Sequence, residues 1–226
     1  MPSQSKFEGI DFSQIPVERL TPDILNLGQG FRCLRGEFVT YWKQGRIKRE
    51  VDAYICHCWA IRSGDSLAGY ITLLADKLQV ENPILVEEGV KYQTFPAIKI
   101  GLLAVDRRAK GAGRHLIEWA IEYVVSEIVP VVGVRFVTVD ALYDQDVEPA
   151  YDASGFYTKL GFDFADPHET LPPEMPYRTM YFDLKPVIEL FNPIIVPISS
   201  YFPRIPGQDK GKIIISSDFN DTLPSE

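Results

Sequence analysis

The sequence predicts an α/β (α+β) fold, and three features of the chain indicate it. Residues 98–105 are a β-branched, aliphatic run of strand length, a basic glycine turn follows, and from Leu116 apolar positions recur at helical spacing. Two more apolar runs, 53–62 and 67–78, are separated by a compact Ser-Gly-Asp-Ser turn that is typical of a hairpin. Strand-like alternation returns at 133–141. We therefore expect strands and helices in one domain.

Two helices are predicted on the N-terminal side of the hairpin. Thr21 and Pro22 are a capping residue and a first-turn proline, so a short helix is expected to begin there. A second helix is expected over 36–49, with Phe38 and Trp42 on its apolar side. Its end carries a basic run that either complements the helix dipole as a solvated terminus or contacts an anionic substrate: Lys43, Arg46, Lys48 and Arg49.

The C-terminal part divides into a final structured stretch and a proline-rich tail. A helix that ends at Gly161 and a closing hairpin over 162–165 and 178–184 are expected first. Beyond them, prolines are so frequent that no helix is expected. We predict a domain over 1–185, followed by a Pro-rich extension over 186–226 that packs on the domain or trails from it.

Composition and charge narrow the class of protein. The chain has 226 residues, 46% hydrophobic and 24% charged, which suits one globular domain with or without an extension. No apolar run reaches membrane-spanning length and no signal peptide is recognisable, so a cytoplasmic protein without a membrane partner is expected. The net charge of -8 does not favour unaided nucleic-acid binding, although 107–114 is a local basic patch.

The three cysteines give no sign of a metal site or a disulfide framework. Cys33, Cys56 and Cys58 are an odd number without metal-ligand spacing. Free thiols in a reducing compartment are therefore expected. His57 lies between two of these cysteines, but on a strand it points to the opposite face, so no metal is predicted.

The glycine turn after residue 105 predicts an anion-binding site. The first N–H groups of a helix have no partner within the helix and carry a partial positive charge. Gly111 and Gly113 lack a Cβ atom, so a phosphate can approach the backbone closely. Walker A and dinucleotide-binding patterns do not match, because the first is absent and Leu116 stands where the second needs a glycine. The alternative is a turn with solvated charges only.

Two motifs in the chain resemble the GNAT acetyltransferase superfamily. Residues 108–113, Arg-Ala-Lys-Gly-Ala-Gly, resemble its Gln/Arg-x-x-Gly-x-Gly/Ala signature, and residues 103–105 resemble the strand before it. Residues 156–162, Phe-Tyr-Thr-Lys-Leu-Gly-Phe, resemble its Phe-Tyr-x-x-x-Gly-Phe helix end. The resemblance covers roughly 54–184, and it implies a mixed, mostly antiparallel sheet flanked by helices. A weaker resemblance, carried by 31–42 and the strands that follow, is to GNAT toxins of toxin–antitoxin pairs.

The resemblance implies an acetyl-CoA-dependent N-acetyltransferase that works by direct attack in a ternary complex without a metal. Acetyl-CoA is expected in a V-shaped splay between the strand before the glycine turn and the strand at 133–141. Tyr157 is the implied general acid for the departing thiolate, and Phe156 is expected in the core. The implied cofactor-binding residues are Leu103, Ala104 and Val105 for the pantetheine and Arg108, Ala109, Lys110, Gly111, Ala112, Gly113 and Arg114 for the pyrophosphate.

The sequence leaves the acceptor and the general base open. By residue type, Asp140, Asp144, Glu148 and His57 can all act as a base, and none is unique. The amine belongs to a small molecule or a protein in the first hypothesis, and to aminoacyl-tRNA in the second. The second hypothesis is a toxin with an antitoxin partner. In the third, the chain is a CoA-binding regulatory module without turnover. A homodimer is compatible with all three.

Overall fold

A computed structural model of the chain describes residues 6–80 and 88–191. By its contacts the chain divides after Ile188, and every described strand belongs to the first unit, Met1–Ile188. Most of the expected extension over 186–226 lies outside the described residues. The division into a domain and a Pro-rich extension therefore stays a prediction.

Strands of the described part form one eight-stranded sheet in the order β1-β2-β3-β4-β5-β8-β7, with β6 paired to β5. All paired neighbours are antiparallel except β4 and β5, which run parallel. The mixed, mostly antiparallel sheet is thus confirmed. The strands are β1 Glu18–Arg19, β2 His57–Ser63, β3 Ser66–Leu78, β4 Phe95–Val105, β5 Phe136–Asp144, β6 Tyr151–Asp152, β7 Asp163–Phe164 and β8 Tyr177–Asp183.

Helices flank this sheet, and the longest of them follows the glycine turn. It continues as a π-helical turn at Val124–Ile128, and 3-10 turns lie at Phe12–Gln14 and Asn26–Gly30. The predicted cap is confirmed, because Ile24 donates its N–H to Thr21 Oγ1 over 3.3 Å. The α-helices are α1 Pro22–Leu25, α2 Gly36–Lys43, α3 Arg46–Asp52, α4 Ala112–Tyr123, α5 Ser154–Thr158 and α6 Lys185–Phe191.

Two helix predictions were wrong, each for a local backbone reason. The single helix expected over 36–49 is two helices, because Gly45 takes a left-handed φ of 65° at the start of α3 and interrupts the hydrogen-bond ladder. The stretch after 185 begins with a helix, α6, where none was expected. Pro186 lies in the first turn of that helix, where its missing N–H has no helical partner to lose.

The sheet is packed on both faces by side chains that alternate along its strands. Ile71 and Ile100 face α4, where they pack with Leu116. The neighbouring Tyr70 and Ala104 point to the opposite face and pack under α2 and α3. Both layers are hydrophobic, and they bury the middle of β3 and β4 between two sets of helices.

The two central strands pair over only part of their length. β4 and β5 are in register from Ala97 and Phe136 to Ile100 and Val139. Beyond these pairs the two strands have no further pairing, although β4 continues to Val105 and β5 to Asp144. The register of β4 against β3 shifts at the same level, next to Gly101, where an added Cβ atom would lie 2.7 Å from Leu74 Cδ2. This bulge accompanies a gap between the C-terminal ends of β4 and β5.

Candidate functional site

The gap between the ends of β4 and β5 opens into a cavity of about 440 Å³. Five parts of the chain line it. They are the end of β4, the end of β5, the glycine turn with the start of α4, the segment from β6 to α5, and the loop that precedes α2 with the first turn of α2. A cavity of this size at the edge of a parallel strand pair is a typical location for a ligand site.

The end of β4 offers unpaired main-chain groups to this cavity. Leu102 donates its N–H to Thr72 Oγ1 over 2.8 Å, and Asp106 donates its N–H to the Ala68 carbonyl over 2.8 Å, so both N–H groups point toward β3. Successive residues of a strand point their polar groups to opposite edges. Leu103 and Val105 therefore direct N–H and C=O groups into the gap, where a ligand with amide groups can pair with them.

The start of α4 offers a second set of free N–H groups. Gly111 is the N-cap residue, with a φ of 91° and no side-chain cap. The first α-helical bond runs from the His115 N–H to the Gly111 carbonyl over 3.1 Å, so the N–H groups of Gly113 and Arg114 precede it. Arg107 and Arg114 add exposed positive charge at this wall of the cavity. The arrangement favours a phosphate or another anion.

The structure brings together most, but not all, of the cofactor residues implied by the resemblance. Ala104 is buried in the core on the opposite face of the sheet, and Lys110 and Ala112 do not line the cavity. The implied residues that do line it, with the implied general acid, are Leu103, Val105, Ala109, Gly111, Gly113, Arg114 and Tyr157.

Arg108 is held by Asp106 rather than turned toward the cavity. Its Nε and Nη2 atoms donate to the two carboxylate oxygens of Asp106 over 2.8 and 2.7 Å, and Nη2 also donates to the Gly30 carbonyl over 2.9 Å. The Asp106 side chain is 0% exposed. Burial by itself raises the pKa of Asp106, but the hydrogen bonds from Arg108 and Arg32 outweigh it and hold that pKa below its ordinary value.

Replacing Arg108 with alanine is expected to destabilise the fold by about 3 kcal/mol, because it leaves a buried carboxylate without its charged partner. The free energy of unfolding in urea measures this. Arg62→Ala is the matched control, since Arg62 makes the same two-pronged pair with Glu18 at the surface, and no measurable change is expected there. Equal stability of the two variants would contradict the structural role of Arg108.

Tyr157 is the tyrosine of α5, and it lines the cavity. The residue is 7% exposed, and its ring packs edge-on against Phe156 and Phe162 at centroid distances of 5.1 and 5.6 Å. Within the described part of the chain, its hydroxyl makes no hydrogen bond. Burial raises the pKa of Tyr157, so the phenol keeps its proton at neutral pH. The expectation that Phe156 lies in the core was wrong, because that side chain is 38% exposed and lines the cavity.

The residues considered as a general base are paired or distant. Asp140 lines the cavity, but it accepts from Lys99 Nζ over 2.5 Å and from Thr179 Oγ1 over 3.1 Å. Asp144 pairs with Arg35, and this hydrogen bond lowers the pKa of Asp144. Glu148 and His57 lie outside the cavity lining. These four residues therefore offer no free base at the cavity.

The loop before α2 is the part of the site that motifs did not predict. Cys33, Leu34 and Arg35 of this loop line the cavity, together with Phe38 of α2. Arg32 donates its N–H to Asp106 Oδ2 over 2.9 Å, across 74 positions of sequence. Contacts at such separation leave no local pattern in the sequence, so only the folded chain reveals this wall.

Residues 6–80 and 88–191 hold neither a metal-ligand cluster nor a membrane span. They contain no group of three or more His, Cys, Asp or Glu side chains placed to hold a metal ion. None of their helices has the length and apolar character needed to cross a bilayer.

Comparisons with known proteins find similarity at the level of structure. No family model matches the chain, and no curated protein matches it. A solved structure of a KacT point mutant is 24% identical, with a TM-score of 0.63, and the match covers 79% of this chain and 99% of that chain. AtaT complexed with acetyl-methionyl-tRNAfMet is 24% identical, with a TM-score of 0.62, and the match covers 78% and 99%.

A third similar structure holds both a protein partner and a cofactor. It is a mutant AtaT toxin bound to the C-terminus of the antitoxin AtaR and to acetyl-CoA. It is 23% identical, with a TM-score of 0.55, and the match covers 80% of this chain and 99% of that chain. These matches confirm the predicted resemblance in fold. The chain therefore has the mixed, mostly antiparallel GNAT-like fold of these solved structures.

Proposed function

We propose that the chain is an acetyl-CoA-dependent N-acetyltransferase that moves an acetyl group to a primary amine by direct attack in a ternary complex. One observation carries the proposal: the open edge of β4, the uncapped start of α4 and Tyr157 all line the same cavity. The AtaT structure that contains acetyl-CoA has a similar fold. Placement in the cytoplasm is part of this proposal.

The cavity suits both polar parts of acetyl-CoA. The amides of the pantetheine arm can pair with the main-chain groups of Leu103 and Val105, as a short added strand would. The pyrophosphate can accept from the N–H groups of Gly113 and Arg114. The thioester supplies the activated acetyl group. Its carbonyl, placed against the open edge of β4, would receive a main-chain N–H that stabilises developing negative charge.

The chain's own residues can complete the transfer from this arrangement. As the amine forms its bond to the acetyl carbon, the carbon–sulfur bond breaks, and the phenol of Tyr157 can give its proton to the sulfur. Asp140 and Asp144 are held in ion pairs. We therefore propose that the amine loses its proton to water rather than to a side chain of the cavity.

Calorimetric titration of the full-length chain with acetyl-CoA, and with CoA as the comparison, tests the proposal first. Saturable binding of both is expected. A screen of small amines, lysine peptides and aminoacyl-tRNA by thiol release then identifies the acceptor. A folded sample that binds neither compound would contradict the proposal. Binding without thiol release for any acceptor would favour the non-catalytic CoA-binding module.

The alkaline side of the pH–rate profile gives a further prediction. Burial raises the pKa of Tyr157 above that of an ordinary phenol, so the acid form persists as the pH rises. The protonated fraction of the incoming amine falls over the same range. We therefore expect kcat to rise or stay level between about pH 7 and 9, with no fall in that range. A fall in kcat there, present in the wild type and absent in Tyr157→Phe, would contradict a raised pKa.

A second candidate function is that of a toxin that acetylates aminoacyl-tRNA. A specific observation favours it, although the chain as a whole is acidic: the exposed Arg107 and Arg114 line the cavity, and the exposed Arg32 and Lys110 are sequence neighbours of lining residues. Growth arrest on induction, with acetylated aminoacyl-tRNA in the extract and relief by an antitoxin partner, would support it. Healthy growth at high expression would count against it. Whether the chain forms a homodimer is open to sedimentation analysis.

A further inference from the structure

A short segment connects the ends of the two diverging strands. We call residues 32–35 the strap, and we call residues 108–114 the cradle. Three strap residues, 33–35, line the cavity, and so do the cradle residues 109, 111, 113 and 114. One end of the strap is bonded to Asp106, directly after β4, and the other end is bonded to Asp144, the last residue of β5. The two carboxylates thus hold one wall of the cavity.

At the β4 end, the strap is held by a buried cluster of hydrogen bonds around Asp106. Asp106 accepts four hydrogen bonds, from the Arg32 N–H at 2.9 Å, the Arg108 N–H at 3.0 Å, and the Arg108 side chain at 2.8 and 2.7 Å. The Arg107 N–H also donates to the Arg32 carbonyl over 2.8 Å. Because the same carboxylate bonds to the first strap residue and the first cradle residue, it fixes one relative to the other.

The bond at the β5 end is more exposed. Arg35 donates to Asp144 over 2.5 Å and to Glu37 over 2.6 Å, and its guanidinium lies over the Tyr151 ring at 5.7 Å. The Arg35 and Asp144 side chains are 24% and 18% exposed, against 0% for Asp106. Removing one partner costs more from a buried pair than from a partly solvated one, because it leaves a buried charge without compensation. Asp106 is therefore the stronger of the two anchors.

We propose that Asp106 is a positioning residue, which fixes the strap that would form the acceptor-side wall against the cradle that would hold acetyl-CoA. A role in acetyl transfer rests on the proposed function. The attachment of the strap by Asp106 does not depend on it. Only a carboxylate satisfies the cluster, since all four contacts come from N–H donors. An asparagine in either orientation would turn its own NH₂ group toward two of these donors.

Cys33 follows Arg32 in the strap, so the rate at which its thiol is labelled measures how often the strap opens. It is the partly exposed cysteine of the three, while Cys56 and Cys58 are buried on β2 or just before it. In the full-length Asp106→Asn variant, we expect dithionitrobenzoate to label one thiol roughly tenfold faster than in the wild type, because unpaired donors lower the cost of opening the strap. The measurement follows both the rate and the number of thiols that react.

The number of reactive thiols separates a local role from general destabilisation. A loss of overall stability would expose all three cysteines together, whereas release of the strap accelerates one. Asp183→Asn is the matched control. Asp183 also accepts two bonds from an arginine, Arg135, and one from a main-chain N–H two residues on, but it lies at the end of β8 and outside the cavity lining. Its variant should leave the labelling rate unchanged.

Acetyl-CoA provides the second readout. In the wild type, saturating acetyl-CoA should slow labelling of Cys33, because both would share the cavity. In Asp106→Asn, we expect acetyl-CoA to bind within about threefold of the wild-type affinity while this protection weakens. If the wild type does not bind acetyl-CoA, the proposed function fails, but the labelling rates without ligand still test Asp106 as the anchor.

Two results would overturn the proposal. One is a wild-type labelling rate in Asp106→Asn, and the other is simultaneous reaction of all three thiols. If Asp106→Asn does not fold, Arg108→Gln takes its place. That variant removes the guanidinium contacts to Asp106 and to the Gly30 carbonyl and leaves the Arg32 bond. It should accelerate labelling of a single thiol to a smaller extent, and an unchanged rate there would equally refute the anchor.

Discussion

Replacing Tyr157 with phenylalanine is expected to lower kcat by about 10²-fold or more while the affinity for acetyl-CoA changes little. The hydroxyl has no hydrogen-bond partner within the described part of the chain, so its removal breaks no hydrogen bond among those residues. The ring keeps its packing against Phe156 and Phe162. A loss of kcat without a loss of binding is therefore the mark of a missing proton donor. Thiol release and calorimetry on the same preparation measure the two quantities.

The control for this experiment is Tyr123→Phe. Tyr123 is a partly buried tyrosine of α4 that stacks on Trp119 with ring centroids 5.1 Å apart, and it does not line the cavity. Its variant should keep the wild-type kcat. If Tyr157→Phe also keeps the wild-type kcat, Tyr157 is a cavity-lining aromatic and the leaving thiolate obtains its proton elsewhere.

Replacing Gly113 with leucine is expected to weaken acetyl-CoA binding by about 10- to 100-fold, the range that overpacking of a fitted site typically costs. A Cβ atom on Gly113 would lie 3.3 Å from Val105 Cγ2 and 3.6 Å from Phe156 Cζ. A longer side chain must therefore extend between the open edge of β4 and α5. That is the space through which the pantetheine would reach the pyrophosphate site.

Two further variants show whether crowding or backbone change causes this loss. Gly113→Ala adds only the first carbon and favours the helix by up to about 1 kcal/mol, so it should bind acetyl-CoA far better than the leucine variant. Gly133→Leu places the same side chain where nothing lies within 4 Å of an added Cβ atom, and binding should be unchanged. Wild-type affinity in Gly113→Leu would show that acetyl-CoA does not pass this glycine.

Most strands and helices could be predicted from local patterns in the sequence. The hairpin could be predicted because its turn and the alternation of its flanking strands depend on residues that are close in the chain. The structure contains it as β2 and β3. The Thr21 cap and the helix after the glycine turn were readable for the same reason. The break at Gly45 was missed, since a helical spacing of apolar residues continues across a glycine that the backbone uses to turn.

Only part of the candidate site could be predicted from the sequence. Motifs singled out Gly111, Gly113 and Tyr157, and the structure places these three at one cavity. The motif also singled out Arg108, but its guanidinium is engaged by the buried carboxylate of Asp106. A motif states which residue types recur, and it does not state whether a particular arginine faces a ligand or a neighbouring carboxylate.

The sequence by itself determined the alternation of strands and helices and the glycine turn, with its resemblance to acetyl-CoA-binding folds. These follow from interactions between residues that are close in the chain. Only the tertiary structure decided how far β4 and β5 stay paired, where Arg108 points, and that residues 32–35 form a wall of the cavity. Those features depend on contacts across 74 and 109 positions, from Arg32 to Asp106 and from Arg35 to Asp144. Such partners are chosen by the packing of the whole domain, because no local preference of either residue selects the other.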